Sequence, residues 1–299
     1  MVFHDSIWIV GNFPRHDSLP DVTGVRDSST FPMSSDLSVL LSLAIVVAIL
    51  FEVSFRAVKR YVTVMAPSLV TSSAKEGAAA TLSQFGASYA NSFIHAAILT
   101  VRGVYHVTQV IAGPPTCQLQ GHSSECSALA DACMSTGAIF LGYLIYDSMH
   151  LVACYPNLGG LDTLAHHLAF ILSTIICNTY LRMLLPFSWL LIGELSTLPL
   201  NVRWFLITSG RGATRAMTAV NVSFALSFFC TRILLYGAGL AHLWLSRSTL
   251  LSMTRPPPAG VLNVVLALLT VGFALNAFWF KRIVSMATGG GQRGRSKNR

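Results

Sequence analysis

Apolar and polar residues are arranged in long blocks along this chain. The apolar runs lie at about 37–57, 82–101, 133–154, 163–181, 184–207, 217–241 and 261–281. Most of these runs are as long as the roughly 20 apolar residues that a helix needs to cross ~30 Å of hydrocarbon. The fourth and fifth runs nearly touch, with a corner between Arg182 and Pro186. The pattern predicts an all-α, multi-pass transmembrane bundle with about seven spans.

The segments outside the apolar runs are short and polar. Residues 1–35 contain Pro14, Pro20 and Pro32, and no basic stretch precedes an apolar core there as in a signal peptide. We therefore expect a disordered polar leader over 1–35, one transmembrane domain over 36–285 and a basic disordered tail over 286–299.

Composition agrees with a lipid environment. Hydrophobic residues make up 53% of the chain and charged residues only 11%, with a mean hydropathy of +0.60. A soluble domain carries about 25% charged residues. The net charge of +8 is concentrated in a few short segments. Nucleic-acid binding is not expected, because no basic soluble domain with aromatic residues is present to carry it.

The distribution of Lys and Arg predicts the orientation in the membrane. If the N-terminus is lumenal, twelve basic residues lie in cytosolic segments and six in lumenal ones. The cytosolic set is Arg56, Lys59, Arg60, Lys75, Arg211, Arg215, Lys281, Arg282, Arg293, Arg295, Lys297 and Arg299. The lumenal set is Arg15, Arg26, Arg102, Arg182, Arg247 and Arg255. Because cytosolic loops carry the excess of Lys and Arg, we expect a lumenal N-terminus and a cytosolic C-terminus.

The six cysteines do not form a CxxC pair, so neither a zinc site nor a redox motif is expected. Cys117 and Cys126 lie in one polar loop on the predicted lumenal side. They can form a disulfide there because the lumen is oxidising. Cys133, at the start of the third span, is the competing partner.

Ionisable side chains inside membrane spans are rare and mark candidate functional sites. Here they are His95, Asp147, His150, His166, His167, Glu194 and Arg232. The predicted topology and a rise of ~1.5 Å per residue place the adjacent histidines within roughly 7 Å of the cytosolic edge and Asp147 about 10 Å deep. Asp147 and His150 are spaced so that they share one helix face.

Glu194, Thr197 and Asn201 also share one helix face, and Pro199 interrupts the hydrogen-bond ladder within it. Such an interruption leaves carbonyls free to meet a ligand, a water or a neighbouring side chain. Two interpretations remain open for this polar set. It is either a ligand or catalytic site, or a structural network that fixes helix packing.

Other polar residues have simpler interpretations. His95 is interpreted as a hydrogen-bonding residue in helix packing, and Arg203 as an anchor at the membrane interface. Arg232 can neutralise Glu194 or Asp147, because a buried charge needs a partner. Glycosylation of Asn221 is not expected, although Asn221-Val222-Ser223 fits the acceptor pattern, because the site lies at the start of a span.

Several motifs resemble the TLC domain family, which includes the ceramide synthases. Gly142-Tyr143-Leu144-Ile145-Tyr146-Asp147 is followed by Asp162-Thr163-Leu164-Ala165-His166-His167. Next comes the run Gly193-Glu194-Leu195-Ser196-Thr197-Leu198-Pro199-Leu200-Asn201-Val202-Arg203-Trp204-Phe205. The last motif is Asn276-Ala277-Phe278-Trp279-Phe280-Lys281. The resemblance covers about residues 50–285. The chain departs from ceramide synthases where they carry His-Asp-x-x-Asp, since it has Leu191-Ile192-Gly193-Glu194 there.

The resemblance implies a ring of helices around a lipid-sized cavity in an endoplasmic reticulum or other endomembrane. The first function that it implies is lipid homeostasis, by binding a sphingolipid, fatty acyl lipid or phospholipid or by regulating membrane lipid composition. The alternative is an acyl-CoA-dependent acyltransferase related to ceramide synthase, with acyl-CoA as co-substrate and no other cofactor. A channel or transporter is not favoured, because the chain has no symmetric half-repeats.

Each candidate residue has a place in these hypotheses. In the acyltransferase, His166, His167 and Asp147 are the catalytic residues, since a histidine can act as a base that a carboxylate orients. The ligand-binding residues are Glu194, Thr197, Asn201 and Arg232. We expect Asp147 to contact one of the two histidines. We also expect Glu194 to face the same cavity, balanced by Arg232 or by a proton.

Overall fold

The chain forms a bundle of helices in a computed structural model that describes residues 33–119, 121–253 and 256–287. The α-helices are α1 (Met33–Leu69), α2 (Ala78–Ala112), α3 (Thr116–Leu119), α4 (Ser127–Ala153), α5 (Leu161–Ile175), α6 (Leu184–Ile192), α7 (Thr197–Thr208), α8 (Arg215–Phe228), α9 (Tyr236–Leu245), α10 (Arg247–Leu251) and α11 (Ala259–Ala287). The leader expected over 1–35 lies outside the described residues except for 33–35, which begin α1. The tail expected over 286–299 likewise lies outside them except for 286–287, which end α11.

Short irregular turns join some of these helices into longer rods. A π-helical turn, Ile176–Tyr180, continues α5, and a 3-10 turn, Gly193–Ser196, joins α6 to α7. A second π-helical turn, Phe229–Leu235, joins α8 to α9. Six rods in the described part of the chain are long and apolar enough to cross a membrane. They are Asp36–Leu69, Ser124–Ala153, Leu161–Tyr180, Leu184–Thr208, Arg215–Leu245 and Ala259–Ala287. The expectation of a multi-pass helical membrane bundle is therefore confirmed.

Helix α2 corresponds to the remaining predicted span. Its 35 residues exceed the roughly 20 needed to cross a membrane, but it is less apolar than the six rods. It packs against α1, α4, α6 and α7, and it buries Ser88, Asn91, His95 and His106 among them. Its lower apolarity follows from this position, because α2 supplies polar groups to the interior of the bundle.

Small residues allow the helices to approach closely. A Cβ atom on Gly103 of α2 would lie 2.9 Å from Leu191 Cβ and 3.0 Å from the backbone nitrogen of Ile192. A Cβ atom on Gly142 of α4 would lie 2.5 Å from the carbonyl oxygen of Ala44 in α1. Close backbone approach at small residues is the usual means of packing helices in membranes, where lipid supplies no hydrophobic force between them.

The connection between α2 and α4 contains the Cys117–Cys126 disulfide, which confirms the expected pairing. Cys133, the competing partner, is a free and buried thiol. At the same end of the bundle, Arg182 at the α5–α6 corner donates to Asp36 at 2.5 Å. The N-terminal end of α1, the disulfide and this corner therefore lie on one side, the side predicted to be lumenal.

We predict that the Cys117–Cys126 bond forms in cells, because its loop faces an oxidising compartment. Denatured wild-type protein should react with a maleimide-polymer reagent at four thiols before reduction, namely the free cysteines. After reduction it should react at all six. A Cys117→Ser/Cys126→Ser variant, as the control, should give four under both conditions. Six reactive thiols without reduction would place the loop on the reducing side and contradict the predicted topology.

Candidate functional site

A cavity of about 640 Å³ lies inside the bundle, within the ~300–1,000 Å³ typical of ligand pockets. Its lining comes from α2, α4, α5, the rod of α6 and α7, the rod of α8 and α9, and α11. All the residues predicted for the site line it, and they are Asp147, His166, His167, Glu194, Thr197, Asn201 and Arg232. The fold thus brings together side chains from four separate rods.

The two ends of the cavity differ. Leu158 of the α4–α5 connection, Arg203, Arg282 and Met286 line one end, which we call the open end because its side chains include exposed ones. Along α2 and α4, the lining residues farthest from that end are His95 and Phe140, which are buried. We call this part, together with Glu194 and Arg232, the closed end. Under the predicted topology, the open end faces the cytosol.

Asp147 and His167 lie side by side in the middle of the cavity. Asp147 Oδ2 is 3.7 Å from His167 Nδ1, which confirms that the carboxylate contacts one of the two histidines. This distance is longer than a hydrogen bond, and Ser148 Oγ lies 3.4 Å from the same nitrogen. A carboxylate beside an imidazole can select one tautomer, and such contacts often shorten when a ligand binds.

His166 points elsewhere, as the ~100° rotation between neighbouring helical residues requires. Its ring centroid lies 4.5 Å from that of Phe170 and 5.2 Å from that of Trp279. The indole nitrogen of Trp279 donates to Asp162 at 3.0 Å, which fixes this wall of the cavity. The Nδ1 atom of His166 is buried and has no hydrogen-bond partner among the described residues.

The charges of Glu194 and Arg232 neutralise each other. The guanidinium donates to Glu194 Oε1 at 3.1 Å and to Thr197 Oγ1 at 3.2 Å. Its Nε atom donates to Ser196 Oγ at 2.8 Å and to the Gly193 carbonyl at 3.1 Å. Thr197 donates to the second oxygen of Glu194 at 2.9 Å. Of the two expected ways of balancing Glu194, the structure therefore has the one through Arg232.

Irregular backbone makes this contact possible. Arg232 lies in the π-helical turn Phe229–Leu235, and its partners lie in or next to the 3-10 turn Gly193–Ser196. A tighter or wider turn changes which carbonyls are bonded within the helix, so the Gly193 carbonyl can accept from Arg232. Pro199 follows in the first turn of α7, where its missing N–H is easily tolerated.

Asn201 connects the α7 wall to α2. Its side-chain amide donates to Ser92 Oγ at 3.0 Å, and it is buried. Glu194, Thr197 and Asn201 all line the cavity, as their shared helix face predicts. His150, which the sequence predicts on the same helix face as Asp147, does not line this cavity. Its Nε2 atom instead lies 2.9 Å from Glu52 of α1, and both line a separate groove between α1 and α4.

Three further side chains differ from their simple interpretations. His95 was expected to form a hydrogen bond between helices, but its two ring nitrogens have no partner in the described residues, and it lines the cavity. Arg203 lines the open end and donates to Asn221 at 2.9 Å. Sequence reasoning missed Glu52 altogether, although an acidic residue inside the first apolar run was a visible signal.

No group of three or more His, Cys, Asp and Glu side chains suited to hold a metal ion occurs among residues 33–119, 121–253 and 256–287.

We predict that Arg232→Met destabilises the protein by about 3–5 kcal/mol, because it leaves the buried Glu194 carboxylate without its partner. The double variant Arg232→Met/Glu194→Leu should recover most of that loss, since it removes both charges. Thermal unfolding of the detergent-purified chain measures this. Arg203→Met is the matched control and should change stability little, because Arg203 lies at the open end. Equal effects of the two arginine variants would contradict the assignment of Glu194 to Arg232.

Known proteins share sequence with the part of the chain that forms the cavity. A 99-residue segment is 34% identical to zebrafish (Danio rerio) TLC domain-containing protein 4-B, covering 32% of this chain and 37% of that relative. The match therefore spans less than half of that relative's length. No solved structure matches the chain. The family model described as the TLC domain matches residues 87–285, which include every residue of the predicted site. The chain therefore belongs to the TLC domain family.

Proposed function

We propose that this protein binds a membrane lipid in its cavity and acts in lipid homeostasis. The family consists generally of membrane proteins linked to lipid metabolism. The observation that carries the proposal is a ligand-sized cavity inside a membrane bundle, with paired charges and imidazoles in its wall. Ionisable side chains in a span are rare outside functional sites, so their convergence on one cavity favours a ligand.

The lining suits an amphiphile more than a small ion or a purely apolar molecule. Leu144, Leu200, Phe224 and Phe228 provide apolar surface, while the site residues provide hydrogen-bonding groups. Pockets that bind organic ligands combine an apolar lining with a few convergent polar groups in this way. The ligand proposed is a sphingolipid, a fatty acyl lipid or a phospholipid. The membrane proposed is the endoplasmic reticulum or another endomembrane, with the C-terminus in the cytosol.

The second candidate is an acyl-CoA-dependent acyltransferase, which the 3.7 Å contact between Asp147 and His167 favours. In that reaction the imidazole would accept the proton of a hydroxyl or amine as it attacks the thioester carbonyl, and the coenzyme A thiolate would leave. Asp147 would stabilise the resulting imidazolium. Arg203 and Arg282 at the open end are suited to the phosphates of coenzyme A, because guanidinium groups bind phosphate oxygens well.

Lipid analysis of the purified full-length protein distinguishes the two candidates. A binder should release an unchanged lipid on extraction, and incubation with palmitoyl-CoA should give no coenzyme A above the rate of a protein-free control. An acyltransferase should release coenzyme A and yield a palmitoylated lipid. Wild-type protein that carries no lipid and gives no turnover would contradict both candidates.

We predict that His166→Ala and His167→Ala each remove the co-purifying lipid, or abolish turnover, while the yield in the membrane persists. The reason is that His166 faces the cavity without a hydrogen bond on Nδ1, whereas the contact of His167 with Asp147 is longer than a hydrogen bond. His150→Gln is the control, because its ring contacts Glu52 outside the cavity. If the network is only structural, the two alanine variants should lower protein abundance and leave the bound lipid per molecule unchanged.

A further inference from the structure

His95 in α2 is a buried polar side chain to which the function proposed above gives no role. It is 2% exposed, and neither Nδ1 nor Nε2 has a hydrogen-bond partner among the described residues. Buried polar groups are almost always hydrogen-bonded, so such a side chain requires a specific explanation. It also lines the cavity, where a bound molecule would reach it.

Aromatic rings hold the imidazole in place. Its centroid lies 3.6 Å from that of Tyr143, and the two rings are nearly parallel, with an interplanar angle of 14°. Phe140 lies 5.9 Å away, and Phe51 of α1 packs edge-on at 6.1 Å. These contacts fix the ring through its faces and leave both nitrogens, which lie on its edge, without a protein partner. The imidazole is therefore held in one position while its two nitrogens lack hydrogen-bond partners.

The position of His95 determines what part of a ligand it can meet. On α2 the cavity lining runs from Ser88 through Ser92 to His95, a rise of about 10 Å toward the closed end. The charged pair Glu194 and Arg232 belongs to the same end. A hydrocarbon chain placed here would leave the imidazole desolvated and unpaired, which is unfavourable. A polar group placed here would supply the missing partner.

We infer that His95 binds the ligand directly, by hydrogen-bonding a hydroxyl or amide group that the lipid carries into the closed end of the cavity. This rests on the proposed function, that a lipid occupies the cavity. An uncharged imidazole offers one donor and one acceptor. A hydroxyl or an amide offers both as well, whereas an ester or a plain alkyl chain does not. The ligand class is therefore a hydroxyl- or amide-bearing lipid with its polar group in the closed end.

The test uses the purified full-length protein and two probes with the same acyl chain. Monopalmitoylglycerol carries free hydroxyls, and methyl palmitate carries none. Monopalmitoylglycerol should bind wild-type protein at least about tenfold more tightly than methyl palmitate, because a buried polar group left unpaired is strongly disfavoured. His95→Phe, which keeps an aromatic ring between its neighbours, should reduce this preference by about the same factor.

A stability measurement separates ligand binding from a structural role. Delipidated His95→Phe should unfold at the same temperature as wild-type or higher, because the substitution removes two unpaired nitrogens. A lower unfolding temperature would show that the imidazole has a partner within the protein, and would overturn the inference. His106→Phe is the control on the same helix. It should lower the unfolding temperature, since His106 Nε2 lies 2.8 Å from Thr136 Oγ1, and leave probe binding unchanged.

Failure of this inference is distinguishable from failure of the proposed function. If wild-type protein and His166→Ala bind neither probe and carry no lipid, then the cavity is not a lipid site, and both ideas are wrong. If His166→Ala loses the lipid but His95→Phe keeps both the lipid and the preference for monopalmitoylglycerol, only the role of His95 is wrong. A co-purifying lipid without any hydroxyl or amide would also overturn that role.

Discussion

The ion pair between Arg232 and Glu194 is the interaction on which the interior of this bundle depends. A charged side chain in hydrocarbon has no water to meet, so each of these residues would be very unfavourable alone. Together they join the rod of α8 and α9 to the rod of α6 and α7. Their contact also fixes Ser196 and Thr197, which hydrogen-bond the same guanidinium. One wall of the cavity is therefore set by charge pairing rather than by apolar packing.

The backbone irregularities follow from the same constraint. A regular α-helix uses nearly all of its carbonyls internally, and it cannot offer one to a neighbouring arginine without changing its turn. The 3-10 turn at Gly193–Ser196 and the π-helical turn at Phe229–Leu235 meet at this point. Such turns are common at functional sites. Here they bring a carbonyl, two hydroxyls and a carboxylate around one guanidinium, close to the histidines of α5.

The opposite wall has polar groups that are less completely paired. His167 Nδ1 lies 3.7 Å from Asp147 Oδ2 and 3.4 Å from Ser148 Oγ, both long contacts, and His166 and His95 have buried nitrogens without partners in the described residues. A purely structural network would be expected to satisfy its own members, as the Arg232 cluster does. The polar groups around Arg232 are fully hydrogen-bonded, whereas those around the histidines are not. This difference favours a ligand-binding site over a network that serves only helix packing.

The sequence by itself determined the class of the protein and identified the ionisable side chains that line the cavity. Long apolar runs require helices across a membrane, because only a helix or a closed barrel satisfies its backbone in lipid. Charged residues within those runs need partners, and Glu194 pairs with Arg232 while Asp147 lies beside His167. The shared polar loop favoured the pairing of Cys117 with Cys126, and the structure decided it against Cys133. These predictions depend on local spacing and on the strong penalty for unpaired charge, which act in every arrangement of the helices.

Only the tertiary structure decided which side chains meet and which remain without a partner. Spacing placed Asp147 and His150 on one helix face. In the structure α1 lies against α4, so His150 contacts Glu52 of α1, while Asp147 faces the cavity. The sequence predicts that His95 forms a hydrogen bond in helix packing, because a sequence shows that a histidine lies in a span but not whether its nitrogens are bonded. Hydrogen bonding between helices depends on the rotation and depth of both partners, and helix packing sets these through contacts such as Gly103 against Leu191 and Ile192.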